Sequence, residues 1–71
     1  MKTHIARPIT QERASTICRE LGLGITADLS HDHRTLHLRA RRQVSSTDEI
    51  QAITAFWLVT DCQIHWHRWA S

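Results

Sequence analysis

The apolar residues of this chain change their period at Gly24, and no other feature restricts its fold as much. Before that point Ala14, Ile17, Cys18 and Leu21 fall at i, i+3, i+4 and i+7, which puts all four on one face of a helix. After it the spacing is two: Ile25, Ala27 and Leu29 alternate with Thr26, Asp28 and Ser30, then Leu36, Leu38 and Ala40 alternate with His37, Arg39 and Arg41. Such alternation predicts two strands, each with one apolar and one polar face. The polar link "SHDHRT" is short enough for a hairpin, with Asp32 able to bond its own backbone in the turn.

The first helix carries its own stop and start signals. Thr10 after Pro8 suits the N-cap, Ile9 can pack back on Ala14 as a hydrophobic staple, and Gly22 supplies the left-handed position past the end. Its solvent face takes Glu12, Arg13, Arg19 and Glu20. A second helix over 46–58 is predicted by Ser46 with Glu49 three residues on, a capping-box spacing, and by a stripe of Ile50, Ile53 and Trp57 widened by Phe56. Trp57 is thereby expected in the core. The competing reading of "AFWLV" as a strand follows from its β-favouring residues but leaves the capping signal unused.

In the closing "DCQIHWHRWAS", Cys62, Ile64 and Trp66 alternate with Gln63, His65 and His67, so a third strand with one core-facing side is expected. The fold class is therefore α+β, with two helices packed on one face of a three- or four-stranded sheet in the order αββαβ. If residues 3–8 of "THIARPI" add a strand, the order becomes the ferredoxin-like βαββαβ. The core under the helices should hold Ile25, Leu29, Leu36, Leu38, Ile64 and Trp66. At 71 residues the chain has room for a single domain, 1–71. Its longest apolar run, Ala55 to Val59, is far below the roughly 20 residues of a membrane span, and no apolar leader precedes the first helix. No membrane partner is expected and the localisation expected is cytoplasmic. Cys18 and Cys62 have no CxxC spacing and read as buried free thiols.

What remains is the polar side of the sheet, and there the sequence concentrates charge. Eight of the nine basic residues are Arg, four of them between Arg34 and Arg42, and the guanidinium fork suits carboxylate or phosphate. His37, Arg39, Arg41, Arg42, His65, His67, Arg68 and Trp69 are the candidate partner-binding residues. The leading expectation is a non-enzymatic module, an adaptor or an inhibitor of the kind phages and plasmids encode, docking a protein partner with an acidic surface, with homodimerisation through the sheet as one form of docking. An RNA- or DNA-binding module using the same basic face is the alternative, although a net charge of +2 is small for a phosphate-coating protein and no RNP-like stretch occurs. Trp57 or Trp69 could anchor a partner.

Metal binding is a third reading. His65 and His67, two apart on a strand, project together, and His37 is the natural third ligand if its strand lies alongside. A first strand in ferredoxin-like order would separate them. No carboxylate is tied to this trio by spacing, and no other cofactor is implied. No enzyme is expected: Ser30, His31, Asp32 and His33 contain the letters of a triad, yet consecutive turn residues cannot surround a substrate. Acidification should charge the histidines and so strengthen binding to an acidic partner.

Overall fold

The computed structural model describes residues 8–70. Its elements run α1 (Gln11–Leu21), β1 (Ile25–Leu29), β2 (Thr35–Ala40), α2 (Ser46–Trp57) and β3 (Gln63–His67). The sheet order is β1-β2-β3, with β1 antiparallel to β2 and β2 parallel to β3. The direct β2–β3 pairing excludes the ferredoxin-like order, which would insert another strand at that place. Residues 3–7 of the expected first strand lie outside the described residues, and Pro8 is not in a strand.

Helix α1 begins and ends as its residues dictate. The Thr10 side chain accepts a hydrogen bond from the Arg13 N–H at 3.0 Å, satisfying a donor that has no partner within the helix. Gly22 adopts φ 65° and donates its N–H to the Cys18 carbonyl, closing the other end. The hairpin link holds itself together: the Asp32 carboxylate accepts from the Ser30 hydroxyl at 2.6 Å and from the Arg34 N–H at 3.1 Å. Those bonds hold the Asp32 carboxyl below its ordinary range and fix the turn in which His33 takes φ 62°.

Helix α2 starts at Ser46, where it was expected, but its cap is Ser45 and not the Ser46 of the Ser46/Glu49 spacing. Ser45 is the cap, extended at ψ 158°, and its hydroxyl accepts from the Asp48 N–H. Two serines each have an acidic residue three places on, and the cap falls to the one at which the chain leaves extended geometry. The buried stripe also differs. Ala52 and Phe56 are fully buried with Ile53 partly so, whereas Ile50 and Trp57 are 65% and 71% exposed. At about 100° per residue, positions 50 and 57 fall together but roughly 130° away from the 52/56 face. The expectation that Trp57 is a core residue is therefore incorrect.

Every core residue of the sheet comes from one of its faces. Ile25 and Ala27 of β1 and Leu36 and Leu38 of β2 are buried against Ala14, Ile17 and Cys18 of α1 and Ala52 and Phe56 of α2. Leu29, Ala40, Ile64 and Trp66 are partly buried at the margin of the same cluster. Because strand side chains alternate, filling this face sends residues 26, 28, 37, 39, 63, 65 and 67 to the other one. No helix among the described residues is long and apolar enough to cross a membrane.

Candidate metal centre on the open sheet face

Strand register arranges the face that no described helix covers as a small grid. One rung crosses the sheet as Asp28, His37 and His65, and the next as Thr26, Arg39 and His67. Parallel pairing of β2 with β3 is what brings the histidines together: His37 stands directly beside His65, and His67 lies one rung further along the same side.

The three rings converge. His37 Nδ1 and His67 Nε2 are 2.9 Å apart, a distance that requires one ring to donate its N–H to the other. Ring centroids lie 5.6 Å apart for His37 and His65, 5.1 Å for His37 and His67, and 5.4 Å for His65 and His67. One nitrogen from each histidine falls within 4.8 Å of the others. A tetrahedral zinc ion with Zn–N of about 2.1 Å needs ligand nitrogens about 3.4 Å apart. Ligation therefore requires the His37–His67 pair to open slightly and the more widely separated nitrogens to close in.

The charge state also suits ligation. The pKa of His67 is lowered from its ordinary 6.5 by partial burial first, then by the positive charge of Arg39 and by His37 and His65. The neutral imidazole is the form that binds metal, so the direction of this shift favours ligation through His67. His65 is exposed and its two partners half-buried, so an ion can reach the site from solvent.

Alternation puts Asp28 on the open face, but sequence reasoning did not count it among the site residues. No sequence spacing ties a carboxylate to the trio, but the hairpin register places Asp28 in the rung of His37. Its Oδ2 lies 3.8 Å from Arg39 Nε, with the two side chains 64% and 55% exposed, so this pair is a loose one. The signal was present in the hairpin: once its link is fixed, position 28 must face position 37.

The other expected site residues do not gather here. Arg42 donates to the carbonyls of Leu23 and Gly22, and with Arg41 it lines a groove of about 650 Å³ between α1 and the outer edge of β1, where the Gln11 side chain bonds the backbone of Ala27 and Leu29. Gly24 leaves space for it: at φ 71°, an added Cβ would sit 2.8 Å from Arg42 Nε. Arg68 and Trp69 follow β3 into a second cleft shared with Val44, Ser46 and Glu49 at the start of α2. Of the eight candidate residues, His37, Arg39, His65 and His67 thus share the open face, and the four others lie in these two clefts. The cysteines stay apart as well, and of the two thiols expected to be buried only Cys18 is, Cys62 being half-buried at the edge of the core. Burial, and secondarily the charge of Asp28, push the Cys18 thiol up to about 11, and Cys62 donates its S–H to the His33 carbonyl.

Comparison of the chain with protein-family models, curated proteins and solved structures gave no match.

Proposed function

We propose that the chain is a metal-binding module in which His37, His65 and His67 hold one divalent transition ion, with zinc the best fit to three imidazoles. One observation carries this reading: three histidines from two adjacent strands present nitrogens within 4.8 Å of one another. The bland alternative for any single exposed histidine is solvation. It explains a scattered set, but it does not account for three rings in mutual contact on a face that includes Asp28 and Arg39.

Isothermal titration with zinc at pH 7.5 tests the proposal. One ion per chain is expected, and His37→Ala, His65→Ala or His67→Ala should each weaken binding by at least about tenfold. His31→Ala, in the hairpin turn, serves as the control and should change nothing. A heat signal that persists when all three histidines are replaced overturns the reading.

A second reading keeps this face as a docking surface for an acidic protein partner. The exposure of Arg39 and its long contact to Asp28 favour it. In metal-free protein, Arg39→Glu should abolish retention on immobilised polyglutamate; retention equal to wild type speaks against it.

A further inference from the structure

Resting on the metal reading above, we propose that the bound ion takes a carboxylate from outside the chain as its remaining ligand, and that Arg39 binds the free oxygen of that carboxylate. Three protein nitrogens leave a tetrahedral ion one position short, and an ion held on an uncovered sheet face presents that position to solvent. The group beside that position decides what fills it. Arg39 occupies the rung next to His37, directly beside His67. Its guanidinium already meets one carboxylate, that of Asp28, at 3.8 Å from Nε, a distance too long for a hydrogen bond and one that leaves its forked donors available. A carboxylate has two oxygens, so one can ligate the ion while the other accepts from Arg39. A neutral amide or a water offers only one oxygen to share between the ion and Arg39, and no charge to pair with the guanidinium.

Asp28 is the internal competitor. It shares a rung with His37 but stands outside the group of nitrogens that converge. It is therefore a counter-charge for Arg39 when no external ligand is bound, and it should oppose an incoming anion.

The experiment uses the whole chain with cobalt(II) in place of zinc, because the visible bands of four-coordinate cobalt respond to each change of ligand. Cobalt is added first. If no bands form, the metal reading and this inference fall together; if they form, acetate is titrated in, with acetamide as the neutral isostere. Acetate should shift the bands to saturation and acetamide should leave them unmoved. Arg39→Gln should weaken acetate by roughly tenfold while changing cobalt affinity less than about twofold, and Arg39→Lys should restore part of the loss. Asp28→Asn should strengthen acetate binding. Bands that form but ignore acetate overturn the inference and leave the metal site standing. So does a loss of cobalt affinity of about tenfold or more in Asp28→Asn, which would make Asp28 the fourth ligand. A third arm identifies the source of the carboxylate. A blocked Gly-Glu-Gly tripeptide binding about tenfold tighter than acetate assigns it to an acidic protein side chain, and equal binding assigns it to a small acid.

Discussion

The two faces of the sheet are made by the same residues of the same strands, taken alternately, yet they differ in what determines them. Leu36 and Leu38 are completely buried, and either could have been placed by alternation alone. Between them His37 gains its significance from β3, a strand that follows 23 residues later in the chain and lands beside it. A core position depends on a local pattern and on water; a site position depends on which strands become neighbours. The covered face should therefore govern stability, and the open face should govern ligand binding with little effect on the fold.

The largest test of that division compares neighbours on β2. Leu38→Ala should cost about 2–5 kcal/mol, the range for truncating a fully buried leucine whose surroundings cannot collapse. His37→Ala, one position away and pointing outward, should stay within about 1 kcal/mol in metal-free protein. Urea unfolding measures both. Equal losses would mean that the open face carries structural weight and that the histidines are packed for stability.

Zinc should then reverse the ranking on the open face only. At a free concentration of about one hundred times its dissociation constant, an ion that binds only the folded chain adds about 2.7 kcal/mol. Wild type and Leu38→Ala should gain this alike, while His65→Ala should gain almost nothing. A gain that is the same in His65→Ala places the ion elsewhere.

The same contrast explains what could be read in the sequence. The caps at Thr10 and Gly22 and the alternation in β1, β2 and β3 are local, and they appear where the residues put them. Helix α2 was legible as an element but not in its phase. Ile50, Ile53 and Trp57 are larger than Ala52, yet it is the small Ala52 that sits fully buried, with Phe56 filling the space beside it. Size and hydropathy do not reveal which of two overlapping stripes fits under a neighbouring helix. That His65 and His67 share a side followed from their spacing, whereas their meeting with His37 required the strand order. The placement of Arg41, Arg42, Arg68 and Trp69 was not legible because each lies past the end of its strand, where alternation no longer fixes direction.

A smaller effect is expected at the end of α2, where adjacent residues repeat the division of the sheet. Trp57→Gln should change stability by no more than about 0.5 kcal/mol despite the loss of a large apolar side chain, since that side chain is 71% exposed. Phe56→Ala should behave like Leu38→Ala. A cost for Trp57→Gln above about 2 kcal/mol would show that the indole is covered in solution, by a second copy if the cost varies with protein concentration.

The smallest effect is a pH dependence, and its sign separates the faces once more. His67 binds a proton less readily in the folded chain than at its ordinary value of 6.5, through partial burial and then through Arg39, His37 and His65. As pH falls through about 6.5 the unfolded chain gains that proton first, so stability should decline and then level off below the lowered folded value. On the covered face Cys18, with its thiol raised to about 11, stays protonated throughout and adds no slope between pH 5 and 8. Bound zinc should steepen the decline, because protons and the ion compete for the same nitrogens. Acid therefore weakens the loaded face, opposite in direction to the strengthening that charged histidines would give toward an acidic partner of the metal-free face. Urea midpoints from pH 5 to 8 measure this, with His67→Gln as reference. The slope of wild type should exceed that of His67→Gln, and Arg39→Gln should fall between them, because it removes one of the charges that hold His67 neutral.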